Sequence, residues 1–477
     1  MDRFDVAVIG SGFAGSTLAT ILARRGMRVA LIDRATHPRF AIGESSTPIA
    51  DMLLRRLGFR YDIGEFVALS TWGGWQESYP ELGCGRKRGF TYFAHEPGKP
   101  FHESSTGDRS LWAAASLNDH VADTHWYRPD VDHFLHQIAL AAGVTDLSGH
   151  RVRGIEMDSN ATLIRCDGDR LQQLVSDWVV DASGQSGVLS RFAPVRDRTS
   201  SLRTETHSTF AHFRGVGSMT DWLQLHGIAA CDPFNADDAA QHHLLEDGWM
   251  WMLRMNNGIT SVGITARRPM PMDWSNYPTL SDLMSGARIV SPPGIVATGR
   301  RLQRWVDPVV GPRHIMLPTS AVTLDPLHST GIAHALVGVE RVARLMTEAA
   351  ASERERWLGE YQDALQKEVR LLDQLISTAY ATMHDFPRFT LACMLYFAAA
   401  IRCEERFQAN EQPSALWNAD DETFVESVTW AARQLVQSGL DSQSLESAIA
   451  ERLAPWNTAG LIDPSVHNRY AYTAAVK

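Results

Sequence analysis

Cysteine is scarce and scattered in this chain. The five cysteines are odd in number and form no C-x-x-C pair; they are Cys84, Cys166, Cys231, Cys393 and Cys403. This pattern excludes a disulfide framework and a cysteine-based metal centre, and we predict no metal site. Cysteine usage of this kind is typical of a reducing compartment, so we predict a cytoplasmic protein.

An excess of basic residues and long apolar runs are also missing. The formal net charge is −10, which argues against a nucleic-acid partner. The most apolar C-terminal run, residues 389–401, is too short for a bilayer span, so we predict a buried helix and no membrane span. A strand pattern begins within four residues of the start, which leaves no room for a signal peptide.

What is present is the composition of an ordinary globular protein, with 477 residues, 44% hydrophobic and 21% charged. Strand and helix patterns alternate in the first part of the chain, and helical patterns dominate after Gly331. We predict an interleaved nucleotide-binding and sheet domain over 1–345, with its sheet part at about 85–118 and 200–300, and a helical region over 346–477. Predicted strands cover 4–9, 28–32, 154–166, 174–180, 210–216, 248–255 and 259–265, and predicted helices cover 16–25 and 130–142.

A glycine motif near the start predicts a dinucleotide site. Gly10-Ser-Gly12-Phe-Ala-Gly15 lies between a strand pattern and a helix pattern, and the next strand ends at Asp33. Gly10 permits the tight turn, Gly12 lets the backbone approach a pyrophosphate, and Gly15 lets helix and strand pack closely. The helix N-terminus offers N–H groups to the phosphates, and Asp33 is placed to accept from a ribose hydroxyl.

Further short motifs follow in a fixed order. They are Gly43-Glu44-Ser45-Ser-Thr-Pro48, Arg128-x-x-Val131-Asp132-x-x-Leu135, Asp181-Ala-Ser-Gly184, Gly248-Trp249-Met-Trp251-Met-Leu253 and Asp325-Pro-Leu-His328-Ser-Thr-Gly331-Ile332. Together with the glycine motif they resemble the flavin-dependent halogenases of the FAD-dependent monooxygenase superfamily, in particular the tryptophan halogenases. The resemblance covers about the first 345 residues.

The resemblance implies an α/β fold. An extended-FAD-binding Rossmann-like domain is interleaved with a mixed β-sheet substrate domain, and a helical C-terminal region follows. It also implies that residues of these motifs contact FAD. In this chain they are Gly10, Gly12, Phe13, Ala14, Gly15, Asp33, Glu44, Ser45, Arg128, Asp181, Asp325, Gly331 and Ile332.

The activity implied by the resemblance is halogenation. FADH2 reacts with O2 to give a hydroperoxide, a halide attacks it to form hypohalous acid, and a lysine passes the oxidant to an aromatic or pyrrole-type substrate, either free or bound to a carrier protein. Since the sequence contains one dinucleotide motif, a separate flavin reductase is the expected partner. A flavin monooxygenase, which hydroxylates, and a flavin dehydrogenase or reductase of the same fold remain alternatives.

Lys87 is the candidate for the lysine. It opens Lys87-Arg-Gly89-Phe-Thr-Tyr-Phe93, which resembles the lysine-bearing strand of halogenases once an insertion near 72–83 is assumed. An amine can hydrogen-bond hypohalous acid or form a haloamine, and desolvation makes it a better nucleophile. The alternative is a surface lysine in the basic triplet Arg86-Lys87-Arg88.

Two roles are predicted for the loop before Gly331. The amides of Ser329, Thr330 and Gly331 at a helix start form an anion site that suits a halide, or alternatively only touch FAD. His328 stands where tryptophan halogenases carry glutamate. It is either a base for a phenol or pyrrole proton or a histidine satisfied by its surroundings.

Two departures from the halogenase pattern complete the comparison. Leu253-Arg254 replaces Ile-Pro after the tryptophan pair, so Trp249 and Trp251 are also explained as core residues sharing one strand face. The segment 317–321 lacks the aspartate that many relatives place on the ribityl chain of FAD, and Thr319 or Ser320 is the expected substitute.

Overall fold

The computed structural model describes residues 2–104, 107–158, 160–168, 172–228, 232–298 and 300–475. Cys231 lies outside these residues, whereas Cys84, Cys166, Cys393 and Cys403 are buried free thiols.

The strands and helices of the described residues are numbered in chain order. The strands are β1 Asp2–Ile9, β2 Val29–Asp33, β3 Cys84–Lys87, β4 Gly89–Ala94, β5 Ser110–Ala114, β6 Asp123–Trp126, β7 Thr145–Ser148, β8 Arg151–Met157, β9 Thr162–Asp167, β10 Gln172–Asp181, β11 Arg196–Asp197, β12 His207–Arg214, β13 Ala239–Leu244, β14 Gly248–Arg254, β15 Thr260–Ala266, β16 Arg288–Ala297, β17 Arg304–Asp307, β18 Val310–Gly311, β19 His314–Met316, β20 Val322–Thr323 and β21 Arg469–Tyr470. The helices are α1 Phe13–Arg24, α2 Pro48–Tyr61, α3 Gly64–Ala68, α4 Trp72–Ser78, α5 Arg128–Ala141, α6 Met219–Leu225, α7 Pro278–Met284, α8 Pro318–Ala321, α9 Gly331–Glu348, α10 Arg354–Thr382, α11 Phe386–Gln408, α12 Glu422–Gln437 and α13 Ser442–Leu453.

One sheet carries the glycine motif. Its strand order is β18-β19-β10-β1-β2-β7, with the β8–β9 hairpin continuing from β10. Strand β1 pairs in parallel with β10 on one side and with β2 on the other. Helices cover the parallel part of this sheet, and its inner strand β2 is accordingly apolar and buried on both faces. The ends of β1, β2 and β10 therefore meet at one edge, where a nucleotide binds in this fold.

A second, mixed sheet lies beside the first. Its order is β16-β12-β15-β14-β13-β4-β5-β21. The C-terminal strand β21 pairs with β5, which ties the end of the chain to the predicted substrate sheet. The α/β architecture with two interleaved sheets and a helical C-terminal region is the predicted fold class, and it is confirmed.

The buried apolar helix predicted over 389–401 is longer than the sequence pattern indicated. Helix α11 has 23 residues and is long and apolar enough to cross a membrane by length and composition alone. However, 83% of its most apolar 18-residue window is buried inside the protein, as in the core helix of a folded domain. Tyr92, Tyr396 and Phe397 pack in this part of the core.

Two other predicted elements differ in their bounds. The predicted strand 154–166 is a hairpin of β8 and β9, and Asp158 accepts from the Ala161 N–H between the two strands. The predicted strand opening at Lys87 is two strands in different sheets, since β3 pairs with β6 and β4 pairs with β5 and β13.

Candidate active site

The glycine turn after β1 has the geometry that its sequence predicts. Gly10 has a φ of +107°, and a Cβ there would overlap the Ala182 carbonyl. A Cβ on Gly15 would overlap the Gly10 carbonyl. Gly12 is different, because the nearest atom to its Cβ would be Asp132 Oδ2 at 3.6 Å. The fold itself demands glycine at 10 and 15, whereas Gly12 keeps space free for a ligand.

A large cavity opens in front of this turn. It has a volume of about 530 Å³, within the roughly 300–1,000 Å³ that is usual for small-molecule sites. We call it the first cavity. Of the predicted cofactor residues, those that line it are Gly10, Gly12, Phe13, Ala14, Asp33, Glu44, Ser45, Arg128, Asp325, Gly331 and Ile332.

Asp33 lies at the end of β2 with both carboxylate oxygens already engaged. Arg39 donates to them at 3.0 and 2.8 Å, and the Ser11 N–H donates at 2.8 Å. Burial raises the pKa of Asp33, but the Arg39 guanidinium and these N–H groups outweigh it, so the pKa is lowered. Asp33 is therefore a fixed carboxylate at the cavity wall, and Arg39 is a partner that the sequence did not reveal.

Arg128 connects helix α5 with the loop that carries Glu44. Its guanidinium makes two bonds to Asp132, at 2.7 and 2.8 Å. It also donates to the carbonyls of Ile42 and Gly43, at 2.8 and 3.0 Å. A planar guanidinium satisfies both partners at once, and the loop is thereby held against the cavity.

The Gly43–Ser45 loop presents one paired and one unpaired polar group. His212 Nε2 donates to Glu44 Oε1 at 2.7 Å, with both side chains buried. The buried Ser45 hydroxyl has no hydrogen-bond partner among the described residues. Since a buried hydroxyl without a partner is costly, Ser45 fits a wall that a bound cofactor completes.

Two predicted cofactor residues lie behind the cavity wall. Asp181 accepts from the N–H groups of Ser183 and Leu189, at 2.9 and 2.7 Å. It thus shapes the strand end without lining the first cavity, as Gly15 does for the helix. In the segment that lacks the aspartate, Thr319 faces the first cavity, and the Ser320 hydroxyl accepts from the Gly184 N–H at 3.0 Å.

Asp325 anchors the loop before α9. Its carboxylate accepts from Thr206 Oγ1 at 2.7 Å, from the Tyr380 hydroxyl at 3.0 Å and from the Leu327 N–H at 3.1 Å. Burial raises the pKa of Asp325 to about 6, against the effect of these bonds. Trp249 Nε1 in turn donates to the Tyr380 hydroxyl at 2.7 Å, so helix α10 fixes the loop to the second sheet.

The start of α9 is open toward the first cavity. Ser329 takes the left-handed conformation with a φ of +55°, and Thr330 occupies the N-cap position without a side-chain cap bond. A Cβ on Gly331 would meet no atom within 4 Å. The Ser329 N–H already donates to the Pro326 carbonyl at 2.9 Å. The first amides of a helix have no partner inside it, so the amides of Thr330 and Gly331 are available to an anion or to a cofactor edge.

Trp249 and Trp251 both border the first cavity from β14. Their ring centroids are 5.9 Å apart, and both side chains are buried. They are core residues and cavity walls at the same time, so the two explanations of this motif do not compete.

Lys87 is fully buried at the end of β3, which excludes a surface lysine. Its Nζ donates to the Ser46 carbonyl at 2.5 Å and lies 3.9 Å from the centroid of the Phe90 ring. The backbone before Ser46, at Glu44 and Ser45, lines the first cavity, whereas Thr47 and Phe90 line a second one. The ammonium therefore lies in the wall between two cavities.

The second cavity is narrow and mostly apolar. Its walls are aromatic or small side chains with a few polar groups: Thr47, Pro48, Ile49, Phe90, Ala113, Ala114, Ala115, Tyr396, Phe397, Ala400, Ile401, Glu404, Thr473 and Ala474. They come from α2, β4, β5, α11 and the C-terminal segment.

The histidines near Lys87 are neutral. Burial lowers the pKa of His242 to about 3, and the charge of Lys87 acts in the same direction. Burial and Lys87 likewise lower the pKa of His125 to about 3. His242 lines the first cavity and donates from Nδ1 to the Thr91 carbonyl at 3.0 Å. The two imidazoles near the lysine are thus neutral.

His328 is placed differently from a base at the first cavity. It is fully buried outside the cavity lining, and its ring stacks on Tyr396 with centroids 4.2 Å apart. Burial lowers the pKa of His328 to about 3. Such an imidazole is a weak base at neutral pH, so this environment favours a packing role.

The arrangement fits FAD. The starts of α1 and α9 both border the first cavity, Gly12 and Gly331 leave room for a ligand, and the Ser45 hydroxyl has no hydrogen-bond partner among the described residues. These features define an FAD-dependent oxidoreductase, and the family model described as FAD dependent oxidoreductase matches residues 5–221. The tryptophan halogenase family model matches residues 124–434, more than half of the chain. The protein belongs to this family, and it is an FAD-dependent enzyme.

The relatives of this chain include halogenases that are named for different substrates. The chain is 28% identical over 425 residues to tetracycline 7-halogenase of Kitasatospora aureofaciens, covering 83% of this chain and 73% of that protein. It is 25% identical over 451 residues to monodechloroaminopyrrolnitrin halogenase PrnC of Pseudomonas fluorescens, covering 88% and 76%.

Among solved structures, halogenase PltM has the same fold. Its TM-score is 0.85 at 22% identity, covering 98% of this chain and 99% of that one. PltM has also been crystallised with phloroglucinol and FAD, with a TM-score of 0.84 at 22% identity, covering 99% of this chain and 100% of that one.

Several residues of the site escaped sequence reasoning. His212, His242, Tyr380 and Glu404 lie in strands and helices without a short motif, and Thr206 directly precedes β12. Their one sequence signal is polarity inside otherwise apolar patterns, as in the histidine pair of β13. That signal does not say which cavity a buried polar residue faces.

Proposed function

We propose that the protein is an FADH2-dependent halogenase that acts on an electron-rich aromatic or pyrrole-type substrate. O2 and a halide are its co-substrates, and a separate flavin reductase supplies the reduced flavin. The observation that carries this proposal is the burial of Lys87 in the wall between the first and second cavities. A hydroxylase would have no need of a buried amine at this point.

The residues of the chain divide the work between the two cavities. Bound FADH2 supplies, together with O2 and halide, the hypohalous acid in the first cavity. The amides at Thr330 and Gly331 hold the halide near the flavin, as the open start of α9 suggests. Trp249 and Trp251 keep bulk water from that end of the cavity.

Lys87 carries the oxidant from one cavity to the other. Its Nζ hydrogen-bonds the hypohalous acid and directs its halogen toward a ring in the second cavity. The neutral states of His242 and His125 support this role, because imidazolium groups there would repel the ammonium. His328 positions Tyr396, a wall of the second cavity, through ring stacking.

The test uses the intact enzyme with FAD, a flavin reductase, NADH and bromide. A panel of phenols, indoles and pyrroles is supplied, and product masses are recorded with and without bromide and O2. We expect products with the paired isotope peaks of bromine that require both bromide and O2. Oxygenated products formed without halide would contradict the proposal in favour of a monooxygenase, and products formed without O2 would favour a reductase.

A further inference from the structure

Glu404 is an unexpected side chain in the second cavity. The side chains around it are aromatic or small, among them Phe90, Phe397 and Ala400. Among the described residues of this cavity, Glu404 is the only carboxylic acid, and 2% of it is exposed. A buried carboxyl is costly unless it is hydrogen-bonded, so its presence in an apolar slot calls for a partner.

The partner in this structure comes from the end of the chain. The Ala475 N–H donates to Glu404 Oε2 at 3.3 Å, which is a long bond. Thr473 is held by its N–H and its hydroxyl, both of which donate to the Ala114 carbonyl. We call residues 471–475 the C-terminal strap. Together with Glu404 it closes one side of the second cavity.

The closed cavity has little free space. Its volume is about 20 Å³, enough for about one water molecule. An aromatic ring therefore requires the strap to move outward, which breaks the Ala475 bond and leaves the Glu404 carboxyl facing the ring. Among the described residues, the strap is held by the two Thr473 bonds and the Ala475 bond, so its outward movement breaks fewer hydrogen bonds than a rearrangement of α11 or β5.

We propose that Glu404 selects hydroxylated aromatic substrates, with a ring hydroxyl replacing the Ala475 N–H as its hydrogen-bond partner. This inference rests on the proposed function, because it names the substrate class of the same site. Phe90 and Phe397 would pack on the ring, and Lys87 Nζ lies 3.9 Å from the centroid of the Phe90 ring, so the ring would lie close to the lysine.

The charge state of Glu404 supports a neutral hydroxyl over an ammonium as the ligand. Burial raises the pKa of Glu404 to about 8, the Ala475 N–H opposes this, and the carboxylates of Glu405 and Asp51 add to it. Cys403, Tyr396 and Tyr472 are further titratable groups that interact with it. A protonated carboxyl both accepts from and donates to a phenol, whereas it has no charge to offer an amine.

The experiment measures binding without turnover. Purified enzyme loaded with oxidised FAD is titrated calorimetrically with phloroglucinol, resorcinol and their methyl ethers. The variants are Glu404→Leu, which keeps the size, and Glu404→Gln, which keeps a carbonyl acceptor. Glu426→Gln, exposed on α12, is the control. FAD content and the melting temperature establish that each variant is folded.

We expect the wild type to bind the hydroxylated rings about tenfold more tightly than their ethers. Glu404→Leu should abolish this preference, Glu404→Gln should keep most of it, and Glu426→Gln should not change it. Equal affinity of the wild type for phenols and ethers would overturn the inference, as would a preference that survives in Glu404→Leu.

If Glu404→Leu does not fold, two other results test the inference. They are the preference of the wild type and of Glu404→Gln for hydroxylated rings, and a crystal structure of the wild type with phloroglucinol. A ring hydroxyl bonded to Glu404 supports the inference, and a ring bound elsewhere overturns it. If the protein halogenates no arene but still shows this binding preference, the proposed function is contradicted and the role of Glu404 in binding is not.

Discussion

The two cavities of this enzyme are built in opposite ways. Much of the first is lined by short continuous segments at strand ends and helix starts, such as those around Gly12 and Gly331, and Trp249, Trp251 and His242 of the second sheet complete it. The second is lined by side chains from segments as far apart as Thr47 and Ala474. In the function proposed above, the cofactor is held by local geometry, whereas the substrate is recognised by side chains that the fold assembles.

The largest effect is expected at the backbone of the first cavity. In Gly12→Val, the side chain fills the space beside Asp132 and Arg128 that the pyrophosphate needs. The protein should fold but lose FAD, as measured by the ratio of flavin to protein after reconstitution. Gly359→Val, on the exposed face of α10, is the matched control. A Gly12→Val protein with a full complement of FAD would contradict the claim that the backbone at Gly12 holds the cofactor.

A smaller loss of FAD is expected when the support of the Glu44 loop is removed. Arg128→Ala deletes two charged bonds to Asp132 and two bonds to the carbonyls of Ile42 and Gly43. We expect FAD affinity to fall about tenfold, and Arg128→Lys not to restore it, because an ammonium cannot make the forked contacts. Fluorescence titration with FAD measures this. Unchanged affinity in Arg128→Ala would mean that the loop holds its position without the arginine.

The second cavity should reveal itself through pH. A carboxyl with a raised pKa binds more protons in the folded than in the unfolded state, so stability falls as the pH rises from 4.5 to about 8, the two pKa values of Glu404. Glu404→Gln lacks this loss. Its melting temperature relative to wild type should therefore increase between pH 5 and pH 9, by about 2–4 °C. A pH-independent difference would show that Glu404 does not titrate in this window.

The smallest effect is expected at His328. His328→Phe keeps the ring that stacks on Tyr396 and removes two ring nitrogens that have no partner among the described residues. With a pKa of about 3, His328 does not titrate between pH 5 and 8. The pH dependence of turnover should accordingly keep its shape. Disappearance of a limb near neutral pH would reinstate His328 as the base.

The first cavity could be predicted from the sequence and the second could not, because the first is built largely from local motifs and the second from residues far apart in the chain. The turn at Gly10, the Asp33 strand end and the Gly331 helix start follow from local motifs, and the fold class follows from their order. The pairings Glu44–His212 and Asp325–Tyr380 join residues far apart in the chain, and no local pattern predicts them. Glu404 lies on α11, whose sequence pattern predicts only a buried core helix, so the cavity that it lines could not be predicted without the structure.

Substitution of Lys87 tests the central claim most directly, which is that a buried lysine between the two cavities is required for halogenation. Lys87→Ala and Lys87→Arg should bind FAD and consume O2 as the wild type does, yet form no halogenated product, since a guanidinium stays protonated and differs in shape. Lys367→Ala, exposed on α10, is the matched control. The decisive measurement is the yield of brominated product per O2 consumed. We expect this yield to fall to background in both Lys87 variants, and a wild-type yield in either one would contradict the proposed role of Lys87.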